Sequence, residues 1–263
     1  CEMKEKIWVS KVSKEFWKEK EKLILLKNIS FKVREKEIIS ILGPNGCGKT
    51  TLLEMICGLQ EPTSGRIIVD GKPVRGIRRD VGIVFQEESL LPWLTVSENI
   101  RLGLKKKGNY HNEVVENYLR LLGIEKFKNF YPNQLSGGMK QLVAIARTLV
   151  RNPKILLLDE PFTFLDLQNQ KILEDYILRL LKHENKTIIL VTHNIENAIL
   201  FSNRVIILTS IPSKVKDIVK INLPSIRTQN LLYSRKFLKL RKKVSKILMK
   251  ECLKQLKEIS AFP

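Results

Sequence analysis

The stretch GPNGCGKTT, residues 43–51, decides the fold. It follows the apolar run EIISILG and precedes LLEMICGL, which is the strand–loop–helix context that the phosphate-binding pattern G-x-x-x-x-G-K-[ST] requires. Its glycines allow the backbone to curl so that successive N–H groups converge on phosphate oxygens. The pattern predicts that Lys49 reaches the β- and γ-phosphates of a nucleotide and that the Thr50 hydroxyl binds Mg²⁺. The predicted nucleotide-binding set is Gly43, Pro44, Asn45, Gly46, Cys47, Gly48, Lys49, Thr50 and Thr51.

Two carboxylates and a histidine follow later apolar runs. ILLLDEP places Asp159 at a predicted strand end, where it would hold Mg²⁺ through water, and Glu160 one residue nearer the nucleotide as general base. His193 ends ILVTH and would hydrogen-bond the γ-phosphate. A solvated turn for the carboxylates and a structural role for the histidine are the alternatives. The phosphate-binding loop upstream favours the catalytic interpretation.

The remaining pattern predicts an α/β protein. The runs EIISILG, KILLLDE and KTIILVTHN are typical of buried parallel strands, whereas SGRIIVDGKPV predicts an antiparallel hairpin that turns at DGK. Residues 95–148 are predicted to be mainly helical, with Asn112 as an N-cap and an apolar stripe at Val115, Leu119 and Leu122. The predicted fold is a P-loop NTPase core with a mostly parallel sheet, an antiparallel β subdomain and an inserted helical subdomain.

A second candidate phosphate site is LSGGM, residues 135–139, which opens the apolar helical run KQLVAIARTLV. Small residues at a helix start leave free backbone N–H groups beside the positive end of the helix dipole, and an anion binds well there. Ser136, Gly137 and Gly138 therefore form a predicted phosphate site in a chain whose P-loop already supplies one.

In this order, the P-loop, LSGGM, LLLDEP and VTH resemble the ATP-binding subunit of ABC transporters, over about residues 7–230. The resemblance implies two copies that pair head to tail around two ATP molecules, with each contact made twice in a two-fold interface. Ser136, Gly137 and Gly138 would then hold the γ-phosphate bound at Lys49 of the other copy. ATP would join the two copies, and its hydrolysis would release them.

The resemblance also assigns single positions. Phe16 in VSKEF stands where an aromatic ring stacks on adenine, with Trp17 as the neighbouring alternative. Gln86 in VFQEE matches a glutamine that touches Mg²⁺ and the attacking water, and Asp166 in FLD matches an aspartate that crosses to the other copy. The implied catalytic set is Glu160, His193 and Gln86, and the implied Mg²⁺ ligands are Thr50, Gln86 and Asp159.

Five residues depart from the family pattern. Met139 replaces a glutamine after LSGG, Leu142 replaces an arginine, and Asn194 replaces an acid after the histidine. Thr163 and the bulky Phe164 precede the FLD aspartate where small residues are common, which argues against efficient communication between the copies. None of the five belongs to the predicted catalytic set.

Composition limits the class of protein. The 263 residues are 43% hydrophobic, and no run approaches the roughly 18 apolar residues of a membrane span. The opening CEMKEKIWVSKVSKEFW has no apolar signal-peptide core. Cys1, Cys47, Cys57 and Cys252 show no metal-binding spacing, so free thiols in a reducing cytosol are expected. Cys47 is expected to be inert, and the alternative is a thiol made reactive by the helix start that follows it.

An ABC domain is predicted over residues 7–230, with its helical subdomain at about 95–148, and a tail over residues 231–263. Much of the formal net charge of +20 lies in this tail. Apolar residues of the tail recur at helical spacing, opposite lysines and arginines: Phe237, Leu240, Val244, Ile247 and Leu248. A helix packed on the protein body, with a solvated basic face, is the favoured interpretation. Contact with an anionic membrane surface and nucleic-acid binding are the alternatives.

The favoured function is the ATP-hydrolysing motor of an importer. FQEESLLPWLTVSENIRLGL resembles the subgroup for nitrate, alkylsulfonates, taurine and pyrimidine precursors, so a small anionic or organic solute is expected. The implied partners are an integral-membrane permease, a second copy of the chain and, indirectly, an extracytoplasmic substrate-binding protein. The implied location is peripheral, on the cytoplasmic face of the cell membrane.

The alternative function is a soluble ABC ATPase that acts on nucleic acid or ribosomes. The sequence argues against it, because the chain carries one cassette and has no coiled-coil insertion between the P-loop and LSGGM. No nucleic acid is therefore expected as a partner.

The loop EESLLPWLTVS, residues 87–97, directly follows Gln86. Its apolar residues are Leu90, Leu91, Trp93 and Leu94. Such side chains are typical of a socket for an apolar helix end of the permease. The alternative is that they fill a cleft between the α/β core and the helical subdomain.

Overall fold

The computed structural model describes residues 5–18, 21–87, 89–104, 110–163, 165–183, 186–224 and 227–260. Its strands are β1 (Glu5–Lys18), β2 (Glu21–Arg34), β3 (Ile38–Leu42), β4 (Ser64–Val69), β5 (Lys72–Pro73), β6 (Val81–Val84), β7 (Ile155–Asp159), β8 (Thr187–Val191), β9 (Arg204–Leu208) and β10 (Val215–Lys220). Its helices are α1 (Lys49–Cys57), α2 (Val96–Arg101), α3 (Tyr110–Leu121), α4 (Gly137–Leu149), α5 (Leu167–His183), α6 (Ile195–Phe201) and α7 (Arg235–Ser260). Short 3-10 turns span Glu125–Phe127, Pro132–Gln134 and Gln229–Tyr233.

The chain divides into two compact units, Cys1–Arg78 with Lys186–Pro263, and Arg79–Asn185. In the first unit, β3 pairs in parallel with β8 on one side and β9 on the other, and β10 pairs antiparallel with β9. Every residue of β3 and β8 is buried, as in parallel strands covered on both faces. The parallel strands predicted from EIISILG and KTIILVTHN are confirmed.

A second sheet of the same unit has the antiparallel order β2-β1-β4-β5. Along the end of β2, Ile29, Phe31 and Val33 are buried while the residues between them are exposed, so this sheet covers the core with one face. Between β4 and β5 the chain turns at Asp70 and Gly71, which both have positive φ. The hairpin predicted from SGRIIVDGKPV is confirmed.

The second unit combines a parallel strand pair with helices. β6 and β7 pair in parallel, which confirms the strand predicted from KILLLDE. A capping box opens α2: Thr95 Oγ1 accepts from the Glu98 N–H, and the Glu98 carboxylate accepts from the Thr95 N–H at 2.8 Å. Hydrogen bonds from the Thr95 N–H and hydroxyl lower the pKa of Glu98.

Helix α3 confirms one sequence prediction and corrects another. Val115, Leu119 and Leu122 are buried, as the apolar stripe predicted. The helix begins at Tyr110, so Asn112 lies inside its first turn and the N-cap prediction was wrong. The Asn112 side chain instead accepts a hydrogen bond of 3.1 Å from Arg101 Nη2.

The basic tail forms α7, which packs on the first unit. Phe237 and Val244 are buried, and ion pairs join Arg241 to Glu196 on α6 at 3.3 Å and Lys216 on β10 to Glu251 at 2.8 Å. This is the packing expected of a terminal helix with a solvated basic face. No described helix is both long enough and apolar enough to cross a membrane.

Candidate functional site

The P-loop joins β3 to α1 and curls because two glycines have a left-handed backbone, Gly46 with φ 75° and Gly48 with φ 91°. At Gly43 the reason for glycine is space, since a Cβ would lie 2.7 Å from Cys47 Sγ. The curl ends at the start of α1, where backbone N–H groups have no partner within the helix. N–H groups in such a nest bind phosphate oxygens.

The side chains of the loop are arranged around this curl. Lys49 is buried, and its Nζ donates to the carbonyl oxygens of Gly43 and Pro44 at 3.0 Å each. The ammonium is therefore held against the loop, where an ion pair with phosphate would form. Thr50 is exposed in the first turn of α1, and Thr51 beside it is half-buried.

Cys47 is a buried, free thiol within the loop. Burial raises its pKa, and the opposing effect of the Lys49 charge is smaller. Since the thiolate is the reactive form, the raised pKa favours the inert interpretation of Cys47 over the reactive alternative.

His193 lies at the same sheet edge as the P-loop. β3 and β8 are parallel neighbours with Ile41 opposite Val191, so the P-loop and His193 follow strand ends that lie side by side. The next residue, Asn194, caps α6: its Oδ1 accepts from the N–H groups of Glu196 and Asn197 at 2.8 and 3.1 Å. His193 is thus fixed between a buried strand and a capped helix.

The candidate adenine ring partners lie on the β1–β2 hairpin. Phe16 is 39% exposed and Trp17 is 69% exposed, and neighbouring residues of a strand point to opposite faces. Leu25 and Leu26 of the same hairpin lie against the P-loop, with side-chain carbons 2.8 to 3.1 Å from the Cβ position of Gly48. Phe16 pairs with Leu23, beyond a register shift between Lys14 and Glu15, so the hairpin that carries Phe16 borders the P-loop.

In the second unit, Gln86 and Asp159 lie at one edge of a strand pair. Val84 of β6 is opposite Leu158 of β7 in a parallel register. Asp159 is the last residue of β7 and Gln86 lies two residues after β6, so both are at the carboxyl ends of the strands. Asp159 is buried and Gln86 is half-buried. Gln141 Nε2 donates to the carbonyl oxygen of Phe85 at 3.3 Å and so steadies the chain just before Gln86.

Glu160 is half-buried and has φ 47°, in the left-handed region that residues with a Cβ rarely adopt. A strained backbone of this kind is common at functional sites, where it aims a side chain.

The LSGGM segment starts α4 as predicted. Ser136 is the N-cap, and its Oγ accepts from the Met139 N–H at 3.3 Å. Gly137 is the first residue of the helix. A Cβ on Gly138 would lie 3.0 Å from Asn169 Nδ2 and would crowd α5. The helix start is thus narrow and built from backbone.

Asp166 caps the next helix, α5. Its carboxylate accepts from the Asn169 N–H at 2.9 Å and from Asn169 Nδ2 at 2.6 Å. These two bonds lower the pKa of Asp166, so the carboxylate is charged at neutral pH. Asn169 Nδ2 also lies 3.0 Å from the position of a Cβ on Gly138, so Asn169 lies between Asp166 and Gly138 within one chain.

Comparison with known proteins identifies the family of the chain. A family model described as ABC transporter matches residues 26–163, more than half of the 263 residues. The chain belongs to the ABC transporter family. An aliphatic sulfonates import ATP-binding protein, SsuB of Bacillus cereus, is 40% identical over 90% of this chain and 93% of its own length. A nitrate import ATP-binding protein, NrtD of Synechocystis, is 42% identical over 77% of each chain.

A solved structure agrees with the family assignment. The ATP-binding cassette MJ0796, a dimer in a post-hydrolysis state bound to ADP and Pi, is 33% identical, with a TM-score of 0.76 over 83% of this chain and 100% of that one. The chain is thus an ABC ATPase with the P-loop fold, as the sequence predicted.

Several departures from the ABC pattern have a local explanation. Leu142 is fully buried in α4, where an arginine would lack water. Asn194 serves as the N-cap of α6 as well as an acid would. Met139 supplies a backbone N–H to the Ser136 cap, which any residue can do. Thr163 is exposed, and Phe164 lies outside the described residues.

Two residues that contact the P-loop could not be predicted from the sequence. Ser213 Oγ donates to the carbonyl oxygen of Cys47, and Gln255 Nε2 donates to that of Asn45. They lie 166 and 210 residues from their partners, so no local pattern predicts the contacts.

Proposed function

We propose that this chain is the ATPase subunit that drives import of a small anion, such as an organic sulfonate or another oxyanion, through a separate integral-membrane permease. The observation that carries the proposal is the start of α4, where Ser136 is the N-cap and a side chain on Gly138 would crowd Asn169. We assign a second phosphate to this helix start. One chain needs only its P-loop to bind a nucleotide. A second site is useful when each nucleotide is held by two copies.

The roles of the chain's own residues follow from their chemistry. The P-loop N–H groups and Lys49 bind the phosphates, and Phe16 stacks on the adenine. Glu160 accepts the proton of a water whose oxygen attacks the γ-phosphorus as the bond to the ADP oxygen breaks. Gln86 orients that water, and His193 hydrogen-bonds the γ-phosphate.

The oxygen donors of the site suit Mg²⁺. Thr50, Gln86 and Asp159 offer a hydroxyl, an amide and a carboxylate oxygen, and among the described residues no group of three or more His, Cys, Asp or Glu could form a metal cage. Mg²⁺ does not need a cage, because it keeps several waters and binds phosphate oxygens beside one or two carboxylates. When bound, the ion neutralises phosphate charge.

The two copies would pair head to tail. Ser136, Gly137 and Gly138 of one copy bind the γ-phosphate held at Lys49 of the other, and Asp166 crosses to the other copy. ATP then joins the copies and hydrolysis releases them, so that binding energy closes the dimer. The dimeric MJ0796 cassette, which covers 83% of this chain, supports this arrangement.

The relatives favour an importer over an ATPase that acts on nucleic acid or ribosomes. SsuB and NrtD are named for import, of aliphatic sulfonates and of nitrate, and both substrates are anions. An importer motor works at the cytoplasmic face of the membrane, bound to its permease, and an extracytoplasmic binding protein would deliver the solute.

The shared site is tested by mixing two inactive variants. Lys49→Ala keeps the α4 site, and Ser136→Arg keeps the P-loop. Either variant alone should hydrolyse almost no ATP. In an equal mixture, half of the dimers contain both variants and have one complete site of two, so about a quarter of the wild-type rate should return.

The control is a mixture of Lys49→Ala with Glu113→Gln, an exposed change outside both sites, which should recover more activity because its own dimers are intact. If the two site variants are folded and the mixture restores no hydrolysis and no ATP-dependent dimer, the site shared between copies is wrong.

A further inference from the structure

Two carbonyl groups of the P-loop accept hydrogen bonds from side chains that are distant in the sequence. The carbonyl oxygen of Cys47 accepts a hydrogen bond of 2.7 Å from Ser213 Oγ, in the loop between β9 and β10. The carbonyl oxygen of Asn45 accepts one of 3.1 Å from Gln255 Nε2 on α7.

These carbonyls control the direction of the phosphate-binding N–H groups. In a trans peptide, the C=O of one residue and the N–H of the next lie in one plane and point in opposite directions. The Cys47 carbonyl shares its plane with the Gly48 N–H, and the Asn45 carbonyl shares its plane with the Gly46 N–H. Gly46 and Gly48 are the two left-handed residues of the loop. A donor that fixes either carbonyl therefore also aims an N–H of the anion nest.

Ser213 is itself held firmly. It is fully buried, its N–H donates to the Leu25 carbonyl at 2.9 Å, and its carbonyl accepts from the Lys27 N–H at 2.8 Å. The backbone is thus tied to β2 through both the N–H and the carbonyl of the serine. The hydroxyl has a second acceptor in the Thr209 carbonyl at 3.1 Å, and the shorter contact of 2.7 Å favours the Cys47 carbonyl for its proton. Since water does not reach the Cys47 carbonyl through this buried contact, loss of the hydroxyl leaves that carbonyl without its donor.

Gln255 is held by the helix that carries it. One turn earlier, Glu251 is buried and its carboxylate lies 2.8 Å from Lys216 Nζ on β10. This pair sets the position of α7 beside the P-loop. The bond from Gln255 to Asn45 is exposed to solvent, so its loss should matter less than that of the buried serine hydroxyl.

We infer that Ser213 and Gln255 are positioning residues for ATP: Ser213 aims the Gly48 N–H and Gln255 aims the Gly46 N–H at the phosphates. The inference rests on the proposed role of the P-loop and extends it to two residues outside every nucleotide-binding motif of the chain. It also makes α7, the basic tail of the sequence, a working part of the nucleotide site.

The test measures dissociation constants of ATP and of inorganic triphosphate, with Mg²⁺, for the full-length chain. Ser213→Ala should weaken ATP binding by about tenfold and Gln255→Leu by about threefold. Triphosphate binding should weaken by the same factors, because the N–H groups contact phosphates and not the base. Ser213→Thr keeps the hydroxyl and should restore most of the affinity.

Matched controls separate positioning from general destabilisation. Ser210→Ala removes a buried hydroxyl from the same loop as Ser213, and this hydroxyl makes none of the described hydrogen bonds to residues 43–51. Leu253→Ala changes an exposed position of α7. Both should bind ATP and triphosphate as the wild type does. The thermal midpoint without nucleotide is measured for each variant, and the surface variant Gln255→Leu should keep that of the wild type.

The outcomes that overturn the inference differ from those that overturn the function. If Gln255→Leu and Ser213→Ala bind both ligands like their controls, or lose ATP affinity while triphosphate affinity stays unchanged, neither residue aims the N–H groups. If Ser213→Ala does not fold, an unchanged affinity of Gln255→Leu alone overturns the inference. A folded wild-type chain that binds no ATP would contradict the proposed function instead.

Discussion

Glu160 combines a carboxylate with a backbone conformation that suits glycine better. A left-handed φ of 47° costs a residue with a Cβ about 1 to 3 kcal/mol, yet the proton-accepting role proposed for this position needs a side chain. The preceding residue, Asp159, is buried at the end of β7, so the strand fixes the start of the turn. The strain is consistent with a chain selected for the direction of this carboxylate.

We predict that Glu160→Gln stops ATP hydrolysis and leaves ATP binding intact. Glutamine has nearly the same shape and the same backbone preference, but it cannot accept a proton. The rate should fall by at least ~100-fold, and an ATP-bound dimer should accumulate on size-exclusion chromatography. Glu113→Gln, at an exposed position of α3, is the control for removing one charge. Near-normal hydrolysis by Glu160→Gln would mean that another group accepts the proton.

Single residues of the site were predictable to different degrees. The P-loop is a local pattern, so its glycines and Lys49 could be found in the sequence, and the structure shows why Gly43 and Gly48 are glycines. Asn112 was mistaken for an N-cap because the preference for asparagine at caps does not reveal its competing partner, Arg101. Ser213 could not be found, since its contact with the loop exists only after β9 is placed beside β3.

Helix α6 shows how an element can hold a residue of the site. It has only seven residues, too few to be stable alone, and it begins one residue after Asn194. At its other end, Arg227 Nη1 donates to the carbonyls of Leu200 and Ser202 at 2.9 and 2.6 Å. Burial lowers the pKa of Arg227 to about 10, so the guanidinium stays charged at neutral pH and complements the helix dipole. Both ends of α6 are fixed, and His193 with them.

We predict that Asn194 stabilises the protein mainly by capping α6. Asn194→Ala should lower the free energy of unfolding by about 1 kcal/mol, whereas Asn194→Asp should change it by only a few tenths, because aspartate caps equally well and its charge suits a helix start. Urea denaturation measures both values. Asn129→Ala, at an exposed loop position, is the control. Equal losses for alanine and aspartate would show that the side chain does something other than cap the helix.

Elements were easier to predict than their contacts. β3, β7 and β8 are short, mostly apolar and flanked by turn residues, so their type follows from composition alone. The periodic stripe of α7 identified it as a helix with one buried face. The same stripe could not show that Gln255, on its polar side, reaches the P-loop, because that depends on the ion pair that sets the position of the helix.

The loop after Gln86 presents apolar side chains at the surface of the molecule. Trp93 is 68% exposed, which argues against its filling a cleft, while Leu90, Leu91 and Leu94 are half-buried. The segment of this loop from Leu91 to Leu94 is nevertheless held by hydrogen bonds to one buried side chain. The side chain of Asn99, on α2, is fully buried. Its Oδ1 accepts from the Leu91 N–H at 2.9 Å, and its Nδ2 donates to the Leu91 and Leu94 carbonyls at 3.1 and 2.9 Å.

A braced loop that presents a large aromatic side chain to solvent has the properties of a binding site for another protein. Aromatic residues dominate the energy of such sites, and a preformed loop loses little conformational entropy on binding. Because the loop directly follows Gln86, closure of two copies around ATP would move it and with it a helix end of the permease seated on it. Binding energy would then produce the mechanical step, provided that ATP favours the closed state.

We therefore predict that Trp93→Ala uncouples the two proteins without harming the ATPase. Hydrolysis by the isolated chain should stay within about threefold of the wild type, because no described contact joins Trp93 to the nucleotide-binding residues. Co-purification with the permease, and the ATPase stimulation that the transported anion causes in the reconstituted complex, should both fall markedly. Ile77→Ala removes another exposed apolar side chain and should affect neither. A Trp93→Ala chain that unfolds, or that binds its permease and responds to the anion as before, would show that this loop is not the coupling surface.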